Sequence, residues 1–316
     1  MRTGVTYLGH HNPKHIKTDL DDMVAFQLDE VLLAAQENDF IYFPGKLKFT
    51  AELAQERGLR PIAIIWGALN LFGGGRASQF LLENPSGFQV GRNGTHRAAG
   101  CYVNPICVGR IEAMIDTIAE LGYTGYLIDE PKPLHDCFCA ACQARYEAWY
   151  GDSLLAASEA QQAAFRHHCV IDYIQTIADY CQANHPQVET ICCLMPEEQA
   201  IWREAAQIAS LDNLGTDIYW INNNRNVEEM RPIIRDMAAT CQSHNKIHHQ
   251  WLQCWKGHLG QEHRVFDMGQ VLAQEKPDAL YIWAWEGQVG TAESCADPAL
   301  AWAEACRVLA LAKEQA

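Results

Sequence analysis

Short apolar runs alternate with amphipathic segments from one end of the chain to the other. Eight runs have the length, the β-branched and aromatic content and the flanking turn residues that predict β-strands. The predicted strands are Gly4–Gly9, Asp29–Ala35, Arg60–Gly67, Tyr123–Asp129, Val188–Leu194, Asn213–Tyr219, Ile247–Cys254 and Ala279–Trp285. Helical spacing of apolar residues predicts helices over Thr18–Gln27, Lys46–Arg57, Cys107–Leu121, Ala163–Ala183, Glu197–Ala209, Val227–Ser243, Phe266–Glu275 and Asp297–Ala312.

This alternation of strands and helices indicates βαβ units and therefore a parallel sheet. Eight units over 316 residues match an α/β fold of the (β/α)8 TIM barrel type, and we expect residues 1–316 to form a single catalytic domain. An open doubly wound sheet would require a glycine-rich dinucleotide turn, and Gly73–Gly75 lacks that spacing. Long loops are expected after the third and fourth strands, over Ala68–Asn104 and Pro131–Gly151.

The charge and hydrophobicity of the sequence limit the kinds of molecule that the protein is expected to bind. The net charge of −15 argues against binding to nucleic acid or to an anionic membrane surface. The sequence contains no apolar run of about 18 residues, so no membrane span is expected. The N-terminus lacks the apolar segment of a secretory signal, and we expect a cytoplasmic protein. The acidic surface is compatible with a monomer or with a homo-oligomer.

The fourth predicted strand ends in a pair of carboxylates, Asp129 and Glu130, followed by Pro131. These residue types are poor strand formers, and strand ends line the active sites of barrel enzymes. Other strand ends carry polar and aromatic residues that suit a sugar, because aromatic faces stack on a pyranose while polar groups bind its hydroxyls. The expected substrate-binding residues are His10, Glu37, Trp66, Asp217, Tyr219, Gln250 and Trp285.

The predicted chemistry is the hydrolysis of a small saccharide or glycoside by two carboxylates. Glu130 would protonate the leaving oxygen, and Glu286 would act as the nucleophile or as the base for water. Asp129 would tune the pKa of Glu130 through its like charge. Trp283 and Trp285 share one strand face, and Trp285, nearer the mouth, is the expected stacking platform. Glu197 and Glu198 lie at the start of a predicted helix. We expect their negative charges to interact favourably with the positive end of the helix dipole.

The thirteen cysteines include one group with the spacing of metal ligands. Cys137, Cys139 and Cys142 form a Cys-x-Cys-x2-Cys sequence, and a tetrahedral zinc would need a fourth ligand. The candidates for that ligand are Cys101, Cys107, His135 and Asp136. A site in which four protein ligands fill the coordination shell would be structural. It would hold together a loop region at about 101–142. No organic cofactor is expected.

The same residues carry a resemblance to a known family. Cys101, Asn104-Pro105, the carboxylate pair, the cysteine group and Tyr146 to Gly151 resemble the catalytic barrels of glycoside hydrolase family 42, the bacterial β-galactosidases. The barrel is also similar to uncharacterised glycosidase-like bacterial TIM-barrel proteins. The family 42 resemblance implies a (β/α)8 fold, a zinc ion bound by Cys101 with the other three cysteines, and Glu130 as the acid/base.

Two positions depart from that family. The family has an asparagine where this chain has Asp129, and its nucleophile is a glutamate at the end of the seventh strand. The seventh predicted strand here, Ile247–Cys254, contains no carboxylate. The resemblance therefore predicts a distant glycosidase-like relative rather than a β-galactosidase.

Two alternatives remain at the level of sequence. One is a divalent-metal-dependent sugar isomerase, epimerase or aldolase that uses His10, Glu37, Asp129 and Asp217 as ligands. The other is a catalytically inactive barrel that binds carbohydrate, which the missing carboxylate of the seventh strand would support.

Overall fold

The computed structural model describes residues 1–71, 77–132, 136–219 and 226–314. Eight parallel strands close into a barrel, with helices between them, and this confirms the predicted (β/α)8 architecture. The barrel strands are β1 (Arg2–Tyr7), β2 (Glu30–Ala35), β3 (Arg60–Ile65), β6 (Gly125–Asp129), β7 (Glu189–Leu194), β8 (Asn213–Thr216), β9 (Ile247–Gln253) and β10 (Ala279–Trp283). Around the barrel their order is β1-β10-β9-β8-β7-β6-β3-β2, so β10 pairs with β1 and closes the ring.

The remaining two described strands, β4 (Phe88–Val90) and β5 (His96–Gly100), form an antiparallel hairpin in the connection between β3 and β6. Sequence analysis treated this stretch as a loop, because each strand is only three to five residues long and shows no clear alternation of apolar and polar residues. The carboxyl end of β5 leads directly into Cys101.

The helices are α1 (Pro13–Ala25), α2 (Glu37–Ile41), α3 (Pro44–Glu56), α4 (Gln79–Glu83), α5 (Pro105–Glu120), α6 (Ala140–Tyr150), α7 (Glu159–Asn184), α8 (Gln199–Ala205), α9 (Met230–Ser243), α10 (His263–Glu275) and α11 (Pro298–Glu314). Capping fixes where several begin. The side chains of Asn12 and Asn104 each accept a hydrogen bond from the first turn, just before a proline at the first helical position. No helix within the described ranges is both long and apolar enough to cross a membrane.

Two apolar layers make up the core. Alternate residues of each strand point into the barrel, where Leu32, Ile64, Leu127, Trp251 and Tyr281 pack together. The intervening residues point outward and pack against the helices. Gly215 also faces the interior, and a Cβ atom there would lie 2.2 Å from the carbonyl oxygen of His249. This position therefore has no room for a side chain.

Charged residues close the amino-terminal end of the barrel. Arg60 lies 2.8 Å from both Glu30 and Glu189, and Arg2 lies 2.9 Å from Glu189. Burial opposes ionisation of Glu189, but the hydrogen bond from Arg2 and the charge of Arg60 outweigh it and lower the pKa of Glu189 to about 2. Each arginine therefore has carboxylate partners, and this end of the barrel is electrostatically balanced.

Lys46 and Asp39 form an ion pair beneath the rim of the barrel, 2.8 Å apart, and the side chain of each is 4% exposed. Asp39 also accepts a hydrogen bond from the backbone of Gln36 at the start of α2. The pair therefore joins α2 to α3.

Replacing Lys46 by methionine should lower the free energy of unfolding by about 3–5 kcal/mol, because it leaves the carboxylate of Asp39 buried without its cation. The matched control is Lys48→Met, which removes a 56% exposed lysine and should cost less than about 1 kcal/mol. Urea denaturation of both variants tests this expectation. Equal losses in the two variants would contradict it.

Candidate active site

Side-chain alternation decides which strand-end residues reach the mouth of the barrel. Ile64, Leu127, Trp251 and Tyr281 point inward, so residues two positions further along the same strands face the same space. The inward-facing residues at the mouth are Trp66, Asp129, Gln253 and Trp283, joined by Asp217 just beyond β8. Asp217 belongs with them because the charges of Asp129 and Glu130 both act on it.

Three carboxyl groups meet at this mouth. Asp129 and Asp217 are buried, with 8% and 3% of their surface exposed, and the side chain of Glu130 is 16% exposed. Burial, followed by the charge of Glu130, raises the pKa of Asp129 well above its usual range. The same two causes, with a hydrogen bond to Glu130, raise the pKa of Asp217. Asp217 and Glu130 are therefore hydrogen-bonded to each other through a proton on one of the two carboxyl groups.

Glu130 occupies an unusual backbone conformation. Its φ is 45°, in the left-handed region that residues with a Cβ rarely adopt. The backbone N–H of Glu130 donates to the carbonyl of Cys193 on β7, at 3.0 Å. That hydrogen bond continues the barrel pairing one residue past β6, and the left-handed turn then redirects the chain toward Pro131.

Lys132 is a member of this site that sequence analysis missed. Its Nζ lies 2.8 Å from Oε2 of Glu130. The carbonyl of Lys132 accepts a hydrogen bond of 2.6 Å from the hydroxyl of Tyr102, the residue that follows Cys101. The lysine therefore pairs with Glu130, and its backbone is hydrogen-bonded to the residue that follows Cys101. The sequence feature that could have identified Lys132 is its position two residues after the carboxylate pair.

Glu198 is the second member that sequence analysis placed elsewhere. It is the N-cap residue of α8, but its side chain makes no capping hydrogen bond. Instead its Oε2 atom is buried without a hydrogen-bond partner. Burial, together with the charges of Glu130 and Glu197, raises the pKa of Glu198 to about 7, although Lys132 opposes this. Glu198 thus belongs electrostatically to the carboxylate cluster rather than to the helix dipole.

Aromatic side chains wall the space beside the carboxyl groups. The rings of Trp66 and Trp283 lie 5.8 Å apart between centroids. Tyr219 and Trp255 contact each other edge to face at 5.2 Å. Burial and the charge of Asp217 raise the pKa of Tyr219 well above its usual range, which places its hydroxyl close to the acidic cluster. Aromatic ring faces of this kind can stack against the apolar face of a sugar ring.

The expected platform, Trp285, lies elsewhere. It packs against Phe26 and Trp302, with centroid distances of 6.2 and 4.8 Å, between the barrel and α11. It follows the end of β10 in a 3-10 turn over Trp285–Gln288, where strand alternation no longer applies. Trp283 is the aromatic residue that faces the mouth. Trp220, also considered at this rim, lies outside the described residues.

Two further residues expected to bind substrate have structural partners instead. Gln250 lies on the outward face of β9, between His248 and Leu252, and its Nε2 atom is 2.8 Å from Nε2 of His248. Glu37 accepts hydrogen bonds from the hydroxyl of Ser78 at 3.1 Å and from the backbone of Phe80 at 2.8 Å. Glu37 therefore anchors the start of α4 to the end of β2.

Glu286 and His10 lie together at another part of the rim. The charges that act on Glu286 are those of Asp19, Asp22 and His10, and burial raises its pKa. His10 is largely exposed, 3.5 Å from Asp19 of α1. In the closed barrel, β10 stands four strands from β6, so Glu286 is across the ring from Glu130 and turned toward α1. The structure does not bring the two expected catalytic glutamates together.

A second cluster consists of four buried cysteines. The sulfur atoms of Cys101, Cys137, Cys139 and Cys142 all lie within 4.8 Å of one another, and the pair Cys101–Cys142 is 3.4 Å apart. Tetrahedral coordination at a zinc–sulfur distance of about 2.3 Å separates ligand sulfurs by about 3.8 Å, so the group fits a metal ion.

The other candidates for the fourth ligand have different surroundings. The thiol of Cys107 points to the carbonyl of Gly87 at 3.3 Å. Asp136 pairs with Arg166, and His135 lies outside the described residues.

Within the described ranges, these four thiols are the ligand atoms that converge closely enough to hold a metal. Asp129, Glu130 and Asp217 lie at the mouth but do not form such a group, and Glu37 and His10 have the separate partners described above. This arrangement gives little support to the divalent-metal isomerase alternative.

Comparison with solved structures shows the same fold in glycoside hydrolases. A β-galactosidase from the Antarctic haloarchaeon Halorubrum lacusprofundi superposes with a TM-score of 0.76 at 16% identity, over 98% of this chain and 58% of that one. A β-galactosidase from Marinomonas ef1 gives 0.72 at 13% identity, over 98% and 59%. An endo-1,4-β-mannanase from Rhizomucor miehei gives 0.68 at 12% identity, over 99% and 94%.

The expected resemblance to β-galactosidase barrels is therefore confirmed at the level of the fold. This chain spans less than two thirds of either β-galactosidase. No protein-family model matches the sequence. No curated protein matches it either.

The raised pKa of Glu198 predicts a specific dependence of stability on pH. Between pH 4.5 and about 7 the folded protein keeps a proton that the unfolded chain has released, so stability should fall as the pH rises through this window. Glu198→Gln should remove part of that fall, whereas Glu197→Gln, at the exposed neighbouring position, should not. Urea denaturation at pH 5 and pH 7.5 measures both, and parallel pH profiles for wild type and Glu198→Gln would contradict the assignment.

Proposed function

We propose that the protein is a glycoside hydrolase that acts on a small saccharide or glycoside at the carboxyl-terminal mouth of its barrel. The observation that carries this proposal is the buried cluster of Asp129, Glu130 and Asp217 beside the aromatic pair Trp66 and Trp283. In such a cluster, burial and like charges favour protonated carboxyl groups, which suit proton transfer to a poor leaving group. Glycosidases with similar barrels make this chemistry the best supported.

Glu130 is the proposed acid. Its carboxyl group is the most exposed of the three at the mouth, and it shares a hydrogen bond with Asp217. Burial and the charge of Glu130 favour protonation of Asp129 and Asp217, while the charge of Lys132 opposes protonation of Asp129. Glu130 would pass a proton to the glycosidic oxygen as the bond breaks, with Asp217 holding the carboxyl group in place through the hydrogen bond that they share.

The second group of the reaction is not Glu286 in this proposal, because Glu286 faces α1 on the far side of the ring. Asp217 does not take its place. A hydrogen-bonded pair of carboxyl groups is closer than the ~5–5.5 Å of retaining enzymes or the ~6.5–9.5 Å of inverting ones. Asp217 is therefore proposed as the partner of the acid rather than as the nucleophile.

We further propose that the four cysteines hold a structural zinc ion. A site of four thiolates leaves no coordination position for water or substrate, so it supplies stability rather than chemistry. Its value to the active site lies in the link from Cys101 through Tyr102 to the carbonyl of Lys132. The ion would fix the chain segment whose lysine pairs with Glu130.

Replacing Cys101 by serine should remove the bound metal and lower the midpoint of thermal unfolding, because three thiolates no longer complete a tetrahedral shell. Cys107→Ser is the matched control: Cys107 is also buried but lies outside the cluster, and its variant should keep one metal ion per chain. Plasma mass spectrometry of the purified variants gives the metal content. A full metal complement in Cys101→Ser would overturn the ligand assignment.

Glu130→Gln should lower kcat on a responsive 4-nitrophenyl glycoside by at least about 100-fold, because the proton donor is lost. Its circular dichroism spectrum and thermal midpoint should match those of the wild type. Glu286→Gln serves as the comparison and should keep near wild-type turnover. Unchanged activity in Glu130→Gln, or loss confined to Glu286→Gln, would refute the proposed acid.

A further inference from the structure

Two cysteines outside the four-cysteine cluster lie against each other behind the mouth of the barrel. Cys254 follows the last residue of β9, and Cys295 lies in the connection between β10 and α11. Their thiols are hydrogen-bonded to each other, although they are distant in the sequence. Both residues are free cysteines, with 0% and 3% of their surface exposed. They form a buried dithiol.

Backbone hydrogen bonds join the two chain segments that carry these thiols. The N–H of Lys256 donates to the carbonyl of Glu293 at 2.9 Å, and the N–H of Ala296 donates to the carbonyl of Gly257 at 2.8 Å. A Cβ atom at position 257 would lie 3.3 Å from the sulfur of Cys295. Backbones paired by hydrogen bonds run about 5 Å apart, and a disulfide bond spans a similar distance between Cα atoms.

Further backbone contacts hold the two side chains facing each other. The N–H of Cys254 donates to the carbonyl of Trp283 at 2.6 Å, and the N–H of Cys295 donates to the carbonyl of Gly287 at 2.9 Å. The N–H of Gly287 is hydrogen-bonded to the sulfur of Cys254, and the N–H of Gly257 to the sulfur of Cys295. Each sulfur therefore accepts a backbone hydrogen bond besides the one that the thiols share.

The two thiols differ in acidity. The hydrogen bond from Cys254, supported by the N–H of Gly257, lowers the pKa of Cys295 against the effects of burial and of the charge of Glu262. The hydrogen bond to Cys295, followed by burial, raises the pKa of Cys254. Because the thiolate rather than the thiol is the nucleophile, Cys295 is the sulfur that reacts first and Cys254 is the one that follows.

The surroundings of this pair suit oxidation rather than metal binding. Cys306 and Glu262 are close enough for their charges to act on Cys254 and Cys295. Among the residues that the structure describes, however, the ligand atoms that converge tightly enough for a metal are those of the four-cysteine cluster. Two adjacent thiols of unequal acidity are instead suited to reversible formation of a disulfide bond.

We propose that Cys254 and Cys295 are a redox-modification site at which a peroxide converts the two thiols into a disulfide bond. Cys295 lies in a stretch that forms neither helix nor strand, beside the exposed Ala296. A local opening of that stretch admits a molecule as small as hydrogen peroxide. The new bond links the segment after β9 to the segment after β10, directly behind Trp283 at the mouth.

The bonds and electrons balance in two steps. The thiolate sulfur of Cys295 bonds to one oxygen of hydrogen peroxide as the O–O bond breaks, and the departing hydroxide takes up the proton that the thiol released. The sulfur of Cys254 then attacks the sulfur of Cys295, and the S–O bond breaks. The hydroxyl group leaves with the proton of Cys254 as a second water. The two sulfurs lose two electrons, which the peroxide gains.

The test treats the purified protein with hydrogen peroxide and maps its cysteines by mass spectrometry. Cys306→Ser is studied beside the wild type, because Cys295 and Cys306 lie in one tryptic peptide. Both proteins should yield peptides linked through Cys254 and Cys295 that dithiothreitol releases. The midpoint of thermal unfolding should rise on oxidation, because the cross-link constrains the unfolded chain. Disulfide bonds confined to other cysteines, or free thiols at both positions after treatment, would rule out the site.

A second measurement assigns the order in which the thiols react. In Cys254→Ser, peroxide should leave Cys295 as a sulfenic acid, which dimedone traps as a stable adduct. Cys295→Ser should give no adduct at Cys254. The opposite pattern would contradict the assigned nucleophile, and the wild-type mapping stands as a test even if a variant fails to fold. Neither measurement requires turnover of a glycoside, so the outcome is independent of the proposed function.

Discussion

Alternation of side chains along a closed ring of parallel strands is the constraint on which the rest of this structure depends. Each strand offers one set of residues to the barrel interior and the other to the helices, and closure of the ring leaves no strand free to shift by one position. The position of every strand-end side chain follows. Asp129 and Gln253 reach the mouth because Leu127 and Trp251 fill the interior, and Gln250 is excluded because Leu252 packs outward.

Burial at the mouth sets the electrostatics that this geometry makes available. Asp129 and Asp217 are held in a space too dry for free ionisation, while Glu130 keeps contact with both solvent and Lys132. Burial and the charge of Glu130 together raise the pKa of Asp129 and of Asp217. The carboxyl groups follow the consecutive strands β6, β7 and β8, so the cluster occupies one part of the ring rather than being distributed symmetrically around it.

Sequence analysis predicted the fold, and the carboxylate pair at the end of β6, because both depend on local features. The eight apolar runs and the pair Asp129 and Glu130 can be recognised without knowledge of distant contacts. The remaining site residues depend on where neighbouring segments fold. Glu37 faces Ser78, forty-one positions away, and no periodicity indicates that contact. Trp285 falls just past the end of its strand, and a difference of two residues in that boundary exchanges it with Trp283.

Closure of the ring by β1 and β10 has a consequence for how the chain folds during synthesis. Arg2 is paired with Ala279, so the edge of β1 stays without its second neighbour until β10 has been synthesised and has left the ribosome. At ordinary rates of synthesis this interval is on the order of tens of seconds. A nascent sheet that begins at β1 must therefore keep an open hydrogen-bonding edge for that time, and the short, charged start of β1 at Arg2 limits its tendency to pair with other chains.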